Sequence, residues 1–497
     1  MKKSLCFYFQ IHVPYQLRRF RFFDIGNNHD YYDEFSTRTN LHKTAAQCYL
    51  PMNKVLMDII KEYGKKFKVA FSITGETIEQ LEQFEPNVLN SFKELAATGC
   101  VEFLCETYAH SLAFLKDETE FERLLAKQKA TIKRVFGQEP SVVRLTGLIY
   151  SDQIGEKIAK LGYKGMVTEG AKHILGWKSP NFIYTNANND KLKLLLRNYQ
   201  LSDDIAYRFS DTAWDQWPVT SEKYAGWINS VEKNEEVVNL FMDYITFGER
   251  HHRSTGIFEF MRYLPKYILE EDIFEFLTPS EVLKKHDSIA PVHVPYPMSW
   301  SEEARDLSIW LGNDLQNDAY DSLCNLGDKV RFLDDQSITQ DWERLQDSDH
   351  YYYMSTRWIS DSSITRRFKT VYSSPYDAYI NYMNVLSDLT VRINEGIEEK
   401  IGALRKNKSY AEKISIIIPP DQHSDYTNNQ LVKVGSLIKK TVKDSSPKKA
   451  GPTKSKDDGK AVNENKKEKS SKNGKAEASS KEEVKKKKTN TALYSQK

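Results

Sequence analysis

The sequence predicts an α/β protein in which parallel strands alternate with helices, followed by a helical bundle and a disordered tail. Three observations predict it. Short apolar runs alternate with amphipathic stretches from Ser4 to Met242, the rhythm of parallel pairing with helices packed outside. One run, Val237-Val238-Asn239-Leu240-Phe241-Met242, has the length of a buried strand and stops at a lone carboxylate, Asp243. In a parallel sheet both faces are covered, so the first polar residue after such a run marks the C-terminal edge, where barrel enzymes build their chemistry. From about Lys439 the composition shifts to Lys, Ser, Glu, Asn and Gly, and too few apolar residues remain to offset the entropy of ordering.

The elements follow in order. Ser4 to Ile11 reads as the first strand and delivers His12-Val13-Pro14. A polar, aromatic-rich loop leads to a helix ending near Gly64, with Pro51 as a break or helix start. Lys68 to Ile73 is the second strand, and Pro86 to Thr98 a helix closed by Gly99. Val101 to Leu104 is the third strand, followed by Cys105-Glu106 and then His110. After the helix Thr119 to Phe136, the fourth strand, Val142 to Thr146, presents Gly147 in the slot beyond its end. The fifth, Gly165 to Thr168, ends on Glu169. Strand-like pieces near Phe182 and Lys191 to Leu196 precede a segment holding Asp203, Asp204, Trp214 and Trp217. Beyond Asp243 the chain turns helical, with long helices expected at Glu302 to Leu326 and Tyr376 to Ile401. The resulting division is a barrel over 1–295, a bundle over 296–410, and a linker and Lys/Ser-rich tail over 411–497.

Composition narrows the function. A chain of 497 residues with 40% hydrophobic residues can bury a barrel-sized core. The net charge of +2 gives no global push toward nucleic acid or a membrane surface. The Lys-rich tail intersperses acidic residues and lacks aromatic interleaving, so it reads as a solvated tail rather than a nucleic-acid binder. No apolar run approaches the ~20 residues of a membrane span. The five cysteines form no C-x-x-C pair and sit in apolar stretches, as reduced core residues of a cytoplasmic protein would. Gly-x-Gly-x-x-Gly and Walker-type loops are absent.

These residues place His12, Glu106, Glu169 and Asp243 near one barrel rim. Carboxylates and aromatics at a barrel mouth suit glycoside chemistry, which needs an acid and a nucleophile or base across one bond. They equally suit a metal site, although no H-x-H or H-E-x-x-H spacing is present.

Five stretches carry a resemblance: Gln10 to Pro14 (QIHVP), Gly99 to Leu112 (GCVEFLCETYAHSL), Val142 to Asp152 (VVRLTGLIYSD), Leu240 to Glu249 (LFMDYITFGE) and Trp300 to Gln316 (WSEEARDLSIWLGNDLQ). The chain resembles α-amylase-like members of glycoside hydrolase family 57 from its first strand to about residue 400. The resemblance implies an incomplete, seven-stranded (β/α) barrel followed by a helical bundle, acting on or binding α-1,4-glucans. It implies a Glu nucleophile after strand four, a position held here by Gly147, and an Asp general acid/base after strand seven, which maps onto Asp243. His12, Glu106, His110, Tyr244, Trp300, Asp306 and Trp310 fit the family pattern. Val13, Ile245 and Arg250 depart from it, standing where Gln, Glu and His are expected. Several polar losses around one pocket look like relaxed selection.

Two functions follow as expectations. The first is a catalytically impaired protein whose cleft keeps a maltooligosaccharide-binding role, with Trp214 and Trp217 as candidate stacking faces. The second is a working hydrolase or 4-α-glucanotransferase that pairs Asp243 with a recruited carboxylate, Asp152, Glu156, Glu169 or Glu106. Neither calls for a metal or cofactor. Loss of the side chain at position 147 is expected to leave a small gap opposite Asp243.

Overall fold

The computed structural model describes residues 2–301, 304–357 and 371–406; the expected linker and tail, 411–497, lie outside the described residues. Among the described residues, ten strands form two sheets: β1 (Lys3–Ile11), β2 (Val69–Ile73), β3 (Val101–Phe103), β4 (Val142–Arg144), β5 (Gly165–Glu169), β6 (Ile183–Asn186), β7 (Lys193–Arg197), β8 (Val237–Asp243), β9 (Phe274–Phe276) and β10 (Ala290–Val292). One sheet runs β3-β2-β1-β8, with β9 beside the start of β1; the other runs β10-β6-β7-β5-β4.

Two junctions curl these sheets into a barrel. Where β3 meets β4, Cys105 N donates to Val142 O (3.0 Å) and Arg144 N to Cys105 O (2.8 Å), so the parallel ladder continues. Where β7 meets β8, the closure is thinner. Asn198 N donates to Asn239 O (2.9 Å), while the Asn239 side-chain amide reaches Leu196 O (3.0 Å). The barrel therefore follows β1-β2-β3-β4-β5-β7-β8, seven parallel strands closed at one seam by a backbone bond and a side chain, both from Asn239. Asn239, the polar interruption in an otherwise apolar run, is that seam.

Strand alternation sorts the side chains into two layers. Leu5, Phe7, Phe9 and Ile11 pack outward beneath the helices, with Val69, Phe71, Val238, Leu240 and Met242. Cys6 and Tyr8 point inward with Ala70, Leu104, Val142, Val167, Leu195 and Phe241. These inner residues fill the barrel as a packed core rather than a channel.

The region beyond Asp243 departs from the helical expectation where β9 and β10 form, and in the bundle. Among the described residues, 304–326 do not form a single long helix. Helices occur instead at Ser308–Leu311, Asp314–Cys324 and Gly327–Leu333. Asn313 starts a new helix by accepting from Gln316 N (3.0 Å), and the Gln316 side chain returns to Gly312 N (2.8 Å) and Asn313 N (3.1 Å). Such a reciprocal cap satisfies the orphan amides of a helix start and so breaks the apolar periodicity into separate rods. Helices Gln336–Arg344, Ser348–Tyr353 and Pro375–Lys406 complete the described bundle. Among the described residues, no helix is long and apolar enough to cross a membrane.

Candidate functional site

The rim is built by continuing the inward series one step. Two residues beyond an inward apolar side chain, each strand delivers a polar one: Gln10 after Tyr8, Ser72 after Ala70, Glu106 after Leu104 and Arg144 after Val142. Glu169 follows Val167, Arg197 follows Leu195, and Asp243 follows Phe241 in the same way. Strand register sets neighbours side by side, with Gln10 against both Ser72 and Asp243, and Glu169 against Arg197. All the strands that carry them are parallel, so His12, Glu106, Gly147, Glu169 and Asp243 share the C-terminal rim.

His12 sits at the centre of the densest polar cluster. Its Nδ1 bonds Thr74 Oγ1 (3.0 Å), and its Nε2 meets Asp347 Oδ2 at 3.0 Å and Asp349 Oδ2 at 3.9 Å. The His110 ring stacks on it at 4.1 Å. His110 Nδ1 lies 3.4 Å from Glu106 Oε2 and 3.4 Å from Gln10 Nε2. Glu106 is fully buried, takes a hydrogen bond from Ser72, and pairs with Arg144 Nη1 at 3.2 Å. Burial pushes the Glu106 carboxyl up, with Arg144 opposing. The two stacked imidazoles are driven apart. Burial, then His12 and Arg144, hold His110 well below its usual range. Burial, the largest single influence, also disfavours charge on His12, but Asp347, Asp349 and Glu106 together outweigh it and raise His12. Asp349 is pushed up to about 7, first by burial and then by Asp347.

Gly147 has φ +62°, a left-handed conformation that glycine adopts freely. The expected gap beside it does not exist. The Trp310 indole fills the volume, and a Cβ built on Gly147 would lie 2.8 Å from Trp310 Cζ2 and nearer still to Cη2. Trp300 N donates to Gly147 O (3.0 Å), and the Trp300 ring packs edge-on against Trp310 at 6.4 Å. Across the rim, Asp243 Oδ2 is paired with Arg250 Nη2 at 3.2 Å. Arg250 is steered there by the Tyr207 ring, 4.8 Å away.

The remaining expected residues divide. Tyr244 points away from the cleft. It is fully buried in the outer layer against Phe9, Phe71 and Tyr49, and its hydroxyl bonds Asn53 (2.6 Å). Parity explains this, because Asp243 faces inward and its neighbour must face outward. Trp217 is 47% exposed, whereas Trp214 is half-buried between Trp227 and Arg208. Asp306 caps a turn by accepting from Ser308 N (2.9 Å).

Each candidate for a recruited carboxylate has other partners. Glu169 meets Arg197 (3.3 Å) and Arg305 (3.6 Å), and Asp152 meets Val294 N (3.0 Å) and His293 (2.7 Å). Glu156 pairs with Lys160 on a helix surface, at 2.7 Å. Sequence reading missed Asp347 and Asp349. They lie on the helix cap of Ser348–Tyr353 in the bundle, and no strand-end signal marks them.

The sequence model of glycosyl hydrolase family 57 matches residues 6–295. This chain belongs to glycosyl hydrolase family 57. A Methanocaldococcus jannaschii protein named "Putative alpha-amylase" is 39% identical over 407 residues, covering 79% of this chain and 85% of that protein. The fold is shared with solved family 57 structures at low identity. AmyC, an α-amylase from Thermotoga maritima, matches with TM-score 0.55 and 12% identity over 84% of this chain and 98% of its own. A GH57-type branching enzyme from Pyrococcus horikoshii matches with TM-score 0.56 and 16% identity, over 74% and 88%. A 4-α-glucanotransferase from Thermococcus litoralis matches with TM-score 0.57 and 14% identity over 78% of this chain, which spans 60% of that enzyme. As a family 57 member, this chain holds its glycine at the exit of β4 and its aspartate at the exit of β8.

Proposed function

We propose that this family 57 protein binds α-1,4-glucan segments in its barrel cleft and does not carry out retaining hydrolysis. The observation that carries this reading is Trp310 seated where a side chain at position 147 would project. Retaining chemistry needs a carboxylate nucleophile about 5–5.5 Å from the acid/base. Here an indole holds the space, so restoring a nucleophile takes a second change as well. The Asp243 partner supports the same reading, because Arg250 occupies an oxygen that an acid/base residue must offer to the glycosidic bond.

Binding remains supported on two grounds. Relatives and structural neighbours named as α-amylase, glucanotransferase and branching enzyme point to α-glucan as the ligand class. Exposed aromatic faces suit sugar rings. Trp217 is one and Phe35 another, and Phe35 lines a hollow of about 690 Å³ beside Tyr15 and Tyr32, whose rings Arg344 covers.

The test is calorimetric titration with a maltooligosaccharide length series, in parallel with reducing-sugar release from soluble starch. Binding in the micromolar to millimolar range without sugar release is the expected result. No heat at any chain length would overturn the binding half. Sugar release abolished by Asp243→Ala would favour the rival reading, in which a recruited carboxylate serves as base.

A further inference from the structure

We propose that His12, His110 and Asp349 form a binding site for a divalent transition-metal ion of the zinc class. One ring nitrogen from each histidine and one Asp349 oxygen lie within 4.8 Å of one another. Two imidazoles and a carboxylate are the donor set that borderline ions such as Zn²⁺ take, whereas Mg²⁺ and Ca²⁺ prefer oxygen alone. The spacing is invisible in sequence, because the ligands come from the exit of β1, the loop after β3 and the helical bundle. This inference is independent of whether the cleft binds glucan.

Two further features fit a metal site. Metal-bound histidines characteristically have their second nitrogen held by an outer partner, which fixes ring orientation. His12 Nδ1 is held by Thr74 Oγ1 at 3.0 Å, which turns Nε2 toward Asp347 and Asp349. His110 Nδ1 is held 3.4 Å from Glu106 Oε2, 3.4 Å from Gln10 Nε2 and 3.5 Å from Arg144 Nη1, and ligation through Nε2 takes the tautomer whose Nδ1 proton faces Glu106. The charge balance points the same way. Glu106, Asp347 and Asp349 are all buried around the two rings; Arg144 pairs with Glu106 alone, and Asp347 and Asp349 face His12. Buried carboxylates need compensating charge, and a divalent cation supplies it. Asp347, 3.0 Å from His12 Nε2, is placed to hold the site from outside that group of three.

The experiment uses the full chain, stripped with a chelator and titrated with ZnCl₂ against a chromophoric competitor. One equivalent should bind with micromolar or tighter affinity. His110→Gln and Asp349→Asn should each weaken binding roughly tenfold or more, the scale of losing a well-placed ligand or its support. Zn²⁺ should raise the melting temperature of the parent protein more than that of either variant at the same concentration, since an ion that binds only the folded state stabilises it more the tighter it binds. Co²⁺ substitution keeps the test decisive even if a variant fails to fold. Visible d–d bands without thiolate charge-transfer absorption support histidine and carboxylate ligands. Thiolate absorption, stoichiometric binding retained in the His110→Gln/Asp349→Asn double variant, or no stoichiometric binding at all would overturn the proposal.

Discussion

The Trp310 indole occupies the space that any side chain at Gly147 would enter. The substitution at 147 and the packing of Trp310 are therefore one feature, and they should be energetically coupled. Gly147→Glu forces a non-glycine residue to φ +62° and overfills the core. Left-handed backbone and overpacking each cost about 1–3 kcal/mol, so the variant should lose roughly 2–6 kcal/mol of stability. Adding Trp310→Ala makes room for the new side chain. The double variant should then be more stable than the sum of the two single changes predicts, by about 1 kcal/mol or more. Urea unfolding of the four proteins reads this directly, and strict additivity would refute the coupling.

The Asp243–Arg250 pair should contribute little to folding despite its position. The Asp243 side chain is 36% exposed, so solvent screens the pair. A double-mutant cycle with Asp243→Asn and Arg250→Gln should give a coupling of about 0–1 kcal/mol that shrinks with added salt. A large, salt-insensitive coupling would show a structural role that this exposure does not predict.

Glu169 should behave in the opposite way. It is fully buried with Arg197, whose other nitrogens reach Asp203 (2.5 Å) and Phe241 O (2.7 Å). Arg197→Met leaves the buried Glu169 carboxylate, among the described residues, with only Arg305 as a cationic partner, at 3.6 Å, and should destabilise by about 3–5 kcal/mol. Thermal or urea unfolding checks it, and a loss below about 1 kcal/mol would put Glu169 outside the structural frame.

How much of this was legible follows from where each signal lies. The strands and their order were readable because parallel strands are apolar on both faces and end abruptly at polar residues, as Val237–Asp243 does. Asp243, Glu106 and His12 could be placed at the rim for that reason. Tyr244 was carried over from the family pattern, and counting in twos from Phe241 sends its side chain outward instead. Trp310 filling the Gly147 space was not legible, since it joins a barrel loop to a helix some 160 residues later, and a deletion of side-chain volume looks like a gap until its neighbour is known. Asp347 and Asp349 were hidden for the same reason. They act at a strand end but belong to a bundle helix cap.

His251 sets a pH dependence. Burial, with Arg250 second, holds its imidazole down to about 4. The neutral ring bonds Ser210 Oγ (2.7 Å) through Nδ1 and donates from Nε2 to Ile205 O (2.9 Å). A pKa lowered on folding means that the unfolded chain takes up the proton first. The contribution is therefore present above about pH 6.5 and is lost as pH falls through about 4, on the order of 3 kcal/mol in all. His251→Gln should be less stable than the parent at neutral pH, and its stability should fall less steeply between pH 6.5 and 4, by the slope of a single proton. Parallel profiles over that window would contradict this.

The most direct test of the central claim is the initial rate of reducing-end release from maltoheptaose, measured for the unmodified protein and for Asp243→Ala in parallel. With the indole of Trp310 in the Gly147 position and Arg250 on Asp243, the two should be indistinguishable and at background. Turnover by the unmodified protein that Asp243→Ala abolishes would contradict the account and establish a working hydrolase with a recruited carboxylate.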